Sequence, residues 1–594
     1  MRTRPVRPSA ALGALLLALA ACGDSRGSQP SGAPQSLVIA TPADADALVP
    51  PLVASTAGKQ VMDMMFDYLA TLGDSMVVDG DRGFTPQLAR SWQWAPDSMS
   101  VAFAIDPRAR WHDGKPVRAS DVRFSFGLYV DPAVGSPHAA TFAGIDSVTV
   151  RDSLTAVVWW HRRTPEQFYQ IAYNLVVMPE HALAAAPRGD LLASDYAKQP
   201  FGSGRFRLRE WRKRDRIELV ADSANYRGRP SFDRLVWTIA PDPAAAALRV
   251  LAGEADVLES VRGDVVKKVA ASERVRGETY GSLDYGYLVF NLRDAKAPRR
   301  ASPLFADRGV RMALSRAVDR EAVIRNALDS LGQVALGPVT RAQSTADASL
   351  RAPGFDLAAA GAALDSAGWR VDPRDGVRRR DGRPLAFSLL VPSSSTTRMR
   401  LAVLLQAQFK AAGAQVELEP VDAPTFIERM AKGKFDAALN VWRTDPSPGG
   451  LRQSWGTPRG DDVGANYGRY ANATFDAVLD SAASEFAPAR RRALYHRAYR
   501  MVLDDAPAIW LYEPRNLAAV SRRVQPVGMR ADAWWAHLAD WKPAGQLTTA
   551  QRCRGRQRRD TRAGRHRIRC RPASHVGAAR RAPRPLATPG RAGG

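Results

Sequence analysis

Two short stretches of this chain gather residue types that could do chemistry. The first, residues 111–126, reads WHDGKPVRASDVRFSF and places His112 beside Asp113, with Asp121 eight positions on. A His-Asp pair invites a metal or acid–base reading. Adjacent side chains diverge on a strand or a turn, however, so these two do not converge on one ion. Turn chemistry and capping explain the same residues: DGKP is a turn, Ser120 or Asp121 caps a helix, and Val122, Phe126 and Tyr129 form its inward stripe. The second stretch, residues 434–450, reads KFDAALNVWRTDPSPGG. Asp445 directly follows a strand pattern there, and in open α/β sheets ligands bind beyond the carboxyl ends of strands. Asp445 is therefore a candidate cleft carboxylate, with Trp442 as an apolar wall beside it. A plain Asp-Pro turn accounts for the same residues by backbone preference alone. Arg398 and Arg443 are candidates for meeting a ligand carboxylate, or they are simply solvated.

The motifs of catalysis are missing. There is no H-E-x-x-H, no P-loop and no G-x-G-x-x-G opening a helix. His112, His138, His161, His181, His496, His537, His566 and His575 show no ligand spacing, and three cysteines, Cys22, Cys553 and Cys570, build neither a disulfide framework nor a zinc site. The expectation is a binding protein and not an enzyme, with no metal centre and no cofactor.

The elements that position Asp445 follow from periodicity. PLAFSLLV reads as a strand, and RMRLAVLLQAQFKAAG as a helix with Leu401, Leu405 and Phe409 on one face and Gly413 at its end. QVELEPV is a strand, PTFIERMAKG a helix and KFDAALNVW a strand, an alternation that predicts a parallel α/β lobe. Between Trp92 and Val158 short strand runs such as SVAFAI and DSLTAVVWW, broken by Pro, Gly and Asp, predict a separate antiparallel module. SLVIATP, from Ser36, reads as a buried strand, and no repeat of solenoid period recurs. With 594 residues and 45% apolar content, the chain is long enough for two to four domains.

Both ends are compositionally distinct. Arg2, Arg4 and Arg7 precede an apolar run from Ala10 to Ala21, too short to span a bilayer, so residues 1–21 are expected to be a secretory signal peptide. Its end, LAAC at Leu19-Ala20-Ala21-Cys22, resembles a bacterial lipobox, which implies cleavage before Cys22 and a lipid on its thiol. Residues 22–36 are rich in Gly, Ser and Pro and read as a tether. The net charge is +24, but residues 551–594 carry fourteen Arg against the single Asp560 and supply +13 of it. Such a tail, 546–594, buries too little apolar surface to order itself and reads as disordered. It holds no Phe, Tyr or Trp, so no nucleic-acid partner is expected.

Residues 111–122 resemble a signature of the solute-binding proteins that serve ABC importers of oligopeptides, dipeptides and nickel. Trp111, Asp113, Gly114, Pro116, Ala119, Asp121 and Val122 match its pattern W-x-D-G-x-P-x-x-A-x-D-V. The segment 200–237, with a turn from Asn225 to Pro230, is similar to the same family, as are AALRVLAGEADVLE, YLVFNL with Asn291, RGVRMALSRAVDREAVI, ALDSAGW and YHRAYRMVLDDAPAIWLYEP. The likeness spans about residues 37–545. The family's Gly-Thr-Gly-Pro appears here as Gly202-Ser203-Gly204-Arg205, a turn whose φ is not locked by proline, and WRTDPSPGG carries one Asp where two are common.

The resemblance implies a two-lobed periplasmic-binding-protein-like α/β fold of type II with the additional small domain of the peptide-binding class. Lobe I would comprise 37–75, 199–284 and 506–545, the small domain 76–198, and lobe II 285–505. It implies a peptide ligand held between the lobes, with nickel or haem as the alternative cargo and a sensory co-receptor as the alternative role. Asp445 matches the family position whose carboxylate pairs with a ligand's α-amino group. The partners implied are the membrane subunits of an ABC transporter, and the protein is expected to be a monomer, periplasmic or at the cell surface, held to the membrane by the lipid on Cys22.

Overall fold

The computed structural model describes residues 35–263, 265–329, 331–460 and 463–545. The expectations for the signal peptide, for Cys22 and for the Arg-rich tail lie outside the described residues. No helix among those described is long and apolar enough to cross a membrane.

Two sheets organise the molecule. The first, seven-stranded, runs Val275–Tyr280, Asn516–Ser521, Val257–Leu258, Ser36–Thr41, Arg234–Ile239, Arg216–Ala221, Phe206–Arg212. Ser36–Thr41 lies at its centre, parallel to both neighbours, which is why SLVIAT is a nearly continuous apolar run. The second sheet, six-stranded, runs Gly332–Val334, Ala508–Pro514, Asp284–Phe290, Ala437–Arg443, Ala386–Pro392, Gln415–Val421. A third, antiparallel sheet of Ala89–Trp94, Ser100–Ile105, Thr155–Trp160 and Ile145–Asp152 forms the small domain.

The alternation around Asp445 has local causes. The helix Thr396–Ala411 begins where the Ser395 hydroxyl accepts from the Arg398 N–H, and it buries Leu401, Leu405 and Phe409. The next helix, Ala423–Lys432, is capped by Asp422 and stopped by Gly433 at φ 65°. The lobe is only partly parallel, however. Ala386–Pro392 is parallel to both its neighbours, whereas Asp284–Phe290 and Ala508–Pro514 run antiparallel to theirs, because both connect to the other lobe.

The expected return of the chain to lobe I at residue 506 falls later in the structure. Ala508–Pro514 is buried along its whole length between Gly332–Val334 and Asp284–Phe290, so it is a lobe II strand, and lobe I resumes at Asn516. The chain therefore crosses between the sheets at residues 281–283 and again at Arg515. The two crossings lie together, since the Asn516 side-chain amide donates to the Gly281 carbonyl at 3.0 Å. Two adjacent crossovers are the structural form of a hinge.

The cores follow the same division. One apolar cluster joins lobe I to the small domain, running from Leu37 and Ile39 through Phe103, Phe168 and Trp535. Lobe II has its own, on the two faces of its sheet, and none of their fully buried members comes from the small domain. Lobe I and the small domain thus form one packed body against lobe II.

Residues 111–126 are used for architecture. The Gly114 backbone adopts φ +88° in the turn, and the Asp113 carboxylate accepts from the Lys115 N–H at 3.0 Å and pairs with His181 at 2.7 Å. Asp121 sits in the first turn of Ala119–Val130, accepting from the Arg118 N–H at 2.8 Å and the Glu180 N–H at 2.9 Å. His112 accepts from the Gly202 N–H at Nδ1 (3.2 Å), which makes Nε2 the donor to the Gly204 carbonyl (2.8 Å). Burial lowers its pKa and keeps it neutral. The Gly202–Gly204 turn is held despite lacking proline: the Asn225 amide donates to the Ser203 and Gly204 carbonyls, both at 2.9 Å, and Ser203 donates to Asp67 at 2.9 Å. Glycine is required at Gly202 because a Cβ there would lie 2.1 Å from the Met65 carbonyl oxygen.

Candidate functional site

Ala437–Arg443 delivers the candidate residues to the interlobe cleft. Its last two residues pair with the first two of Asp284–Phe290, Trp442 opposite Tyr285 and Arg443 opposite Asp284, directly above the hinge. The Thr444 N–H and hydroxyl both bond the Leu283 carbonyl, at 2.8 and 2.9 Å, which turns the chain and presents Asp445. Gln343 donates to the Asp445 carbonyl at 3.1 Å and the Ser447 N–H to its Oδ1 at 2.8 Å.

No cation pairs with the Asp445 carboxylate among the described residues, and Oδ2 accepts no hydrogen bond. Water reaches the group, yet the cleft walls desolvate it and raise its pKa, against a smaller lowering by the Ser447 N–H. An unpaired carboxylate in such a position favours a ligand cation. The adjacent cavity, about 50 Å³, is lined by Tyr285, Gln343, Trp442, Ser447 and Tyr499 among others. It holds a few waters or one chain terminus, so any larger ligand must extend beyond it.

The other candidates are placed differently. Trp442 is half-buried and lines that cavity, as an apolar wall would. Arg443 is engaged within the protein, donating to the Asp532 carbonyl at 3.0 Å and lying 3.5 Å from Asp284. Arg398 lies in the first turn of Thr396–Ala411 with its guanidinium 5.8 Å from the centre of the Phe426 ring and near the Tyr512 phenol. It has no carboxylate partner among the described residues, and burial lowers its pKa.

Several residues of the opposite wall carry no sequence signal that would single them out. Tyr169 and Tyr173 stack at 4.9 Å and 18° on the small-domain side, and Tyr173 donates to Asp532 at 2.9 Å. Burial, and after it the neighbouring Tyr173, Asp445, Glu166 and Asp532, raise the pKa of the Tyr169 phenol. Asp532 is held by Arg530 at 2.7 Å. Glu166, also missed, accepts from the Ser447 hydroxyl. These residues lie far from Asp445 in sequence, and only the i, i+4 spacing of Tyr169 and Tyr173 on a short helix hints at a shared face.

Two α/β lobes joined by a double crossover, with an unpaired acidic group in the cleft, define a solute-binding protein of the two-lobed class. Comparison with known proteins agrees. The family described as bacterial extracellular solute-binding proteins, family 5 Middle, matches residues 83–462. The oligopeptide-binding protein AppA of Bacillus subtilis is 26% identical over 527 residues, covering 86% of this chain and 93% of AppA. The solved structure of the ABC transporter substrate binding protein CtaP from Listeria monocytogenes superposes with a TM-score of 0.74 at 21% identity, covering 86% of this chain and 99% of CtaP. NikZ from Campylobacter jejuni, solved in complex with Ni(L-His), gives 0.68 at 22% identity, covering 85% and 99%. The chain belongs to bacterial extracellular solute-binding protein family 5, with that family's two-lobed α/β fold.

Proposed function

We propose that this protein is an extracytoplasmic lipoprotein that captures peptides through their free amino terminus and delivers them to the membrane subunits of an ABC importer. The observation that carries the reading is the Asp445 carboxylate, unpaired at the mouth of a terminus-sized cavity in the interlobe cleft. A charge-assisted bond at one end sets register, while backbone and water-mediated contacts along an open cleft leave side chains largely unread. That AppA is named an oligopeptide-binding protein supports peptide as the ligand class.

Mass spectrometry of the solute that co-purifies with the protein tests the ligand class directly. The expected result is a set of peptides, and calorimetry with one of them and its N-acetylated form should show at least tenfold weaker binding of the blocked form, about 1.4 kcal/mol or more. A metal complex as the only co-purifying species, or equal binding of both forms, overturns the reading. The lipid anchor is proposed from Cys22 alone. Cys22→Ser should move the protein from the membrane to the soluble fraction, since stable anchoring of this kind depends on acyl chains; undiminished membrane association would refute it.

A further inference from the structure

The seam between lobe II and the small domain carries a charged cluster centred on Arg491. Arg491, on the helix Pro488–Asp505 of lobe II, is only 2% exposed. Its guanidinium reaches across the seam to two carboxylates of the small domain, Asp79 and Glu166, while its Nε donates to the Ala482 carbonyl of its own lobe at 3.1 Å. Glu166 is shared, because its other oxygen accepts from the Ser447 hydroxyl. Ser447 in turn donates its N–H to Asp445, and its Oγ accepts from the Gly449 N–H at 3.0 Å. A lobe II arginine and a lobe II serine therefore grip one small-domain carboxylate. Nearby, Arg163 of the small domain stacks 4.2 Å over the ring of Phe486 in lobe II.

This seam is not a core. The apolar cluster of lobe I and the small domain ends on one side of it and those of lobe II on the other. Between them lies a cavity of about 230 Å³ lined by Asp79, Arg163, Thr164, Phe486 and Pro488, in which the Thr164 hydroxyl has no hydrogen-bond partner among the described residues. Polar contacts, with little apolar packing, hold the two bodies together here. Such contacts can be broken and remade, since water replaces each partner on opening, whereas separating a packed core would expose apolar area at about 25 cal/mol per Å². Burial raises the Glu166 pKa, the Ser447 hydroxyl opposes the rise and the Asp445 carboxylate adds to it, while the contacting guanidinium favours the ionised form.

We propose that Arg491, Asp79, Glu166 and Ser447 form a closure latch that holds lobe II against the small domain and, through Ser447, ties that contact to the residue at the ligand site. Opening about the crossovers at residues 281–283 and Arg515 separates the bodies these residues join, so the latch sets the ratio of closed to open protein even before a solute arrives. Its action does not depend on which solute is bound.

Hydrogen exchange read by mass spectrometry, on full-length protein stripped of solute, tests the latch without a ligand. Arg491→Met, and separately the paired change Asp79→Asn with Glu166→Gln, should each lower the closed-to-open ratio at least tenfold. The read-out is correspondingly faster exchange in segments 79–82, 163–167 and 445–452, which face each other across the seam. Segment 386–392 and the last two turns of the helix Pro488–Asp505, residues 498–505, should exchange as in the wild type, which shows that lobe II is intact. Combining all three substitutions should add little to either set alone, because both remove the same contact. Unchanged exchange at the seam in the Asp79/Glu166 variant overturns the proposal, even if Arg491→Met opens it, since Arg491 would then act only within its own lobe.

Discussion

Replacing Asp445 by Asn is expected to weaken binding of a free-amine peptide ten- to a hundredfold. Asn preserves the shape of the side chain and can still accept the Ser447 N–H, so the turn through Pro446 stays in place. What it removes is the charge. A hydrogen bond to a charged group contributes roughly 1.5–3 kcal/mol, and the cleft walls that raise the Asp445 pKa offset part of the screening by the water that reaches it. That range corresponds to about one to two decades in affinity. Calorimetry should show the acetylated peptide binding wild type and variant alike, because neither complex contains the ammonium–carboxylate pair. Acidification should act in the same direction. The Asp445 pKa is raised, so the carboxylate is fully present only above that raised value, and affinity should fall at a pH where an Asp of ordinary pKa would still be ionised. Equal affinity of wild type and variant for the free-amine peptide would show that the terminus is held elsewhere, while leaving the solute-binding class untouched.

The largest stability effect is expected at Arg320, which stands in the segment RGVRMALSRAVDREAVI. Its guanidinium is buried without a carboxylate partner among the described residues; it donates to the carbonyls of Trp510 (2.7 Å), Pro353 (2.8 Å) and Ser315 (3.1 Å) and to the Ser315 hydroxyl (2.8 Å). Burial pushes its pKa down to about 10, so it is still charged at neutral pH. One side chain thus fastens the helix Arg320–Ala327 to the strand Ala508–Pro514 and to the loop before residue 356. Arg320→Met fills most of the volume and leaves several buried acceptors without donors, each costing about 1–3 kcal/mol. A total loss of about 3 kcal/mol or more is expected, a fall in lobe II melting temperature of roughly 6–12 °C at the 2–4 °C per kcal/mol of large domains. Arg400→Met, at an exposed position, should stay within about 0.5 kcal/mol of wild type. A melting temperature of Arg320→Met equal to that of Arg400→Met would show that the acceptors find other donors.

Arg311, nine residues earlier, works the same way on the carbonyls of Phe305, Asp505 and Ala506. Neither role is visible in the segment itself. An arginine on an amphipathic helix reads as solvated until its acceptors are known, and some of these lie about 190 residues away. The family resemblance marks both positions as part of a motif but says nothing of what they hold.

What the sequence determined by itself is whatever is encoded within about one element. The helix Ala423–Lys432 is legible because its cap Asp422, its early Pro424 and its stop Gly433 are neighbours in the chain. The same holds for the DGKP turn, for Leu401, Leu405 and Phe409, and for Asp445 as the residue following a strand. Tertiary structure alone decided the rest. The strand Ala508–Pro514 is buried throughout and apolar from Ala508 to Leu511, and that run would fit the centre of either sheet; pairing with Asp284–Phe290 assigns it to lobe II. Glu166 meets Arg491 across 325 positions and Ser447 across 281, so neither the latch nor the wall opposite Asp445 leaves a periodic trace. Periodicity and caps report which face of an element is apolar and where it ends. Which faces meet is decided by how whole lobes pack, and a charged residue that serves that meeting looks, in sequence, like any other surface charge.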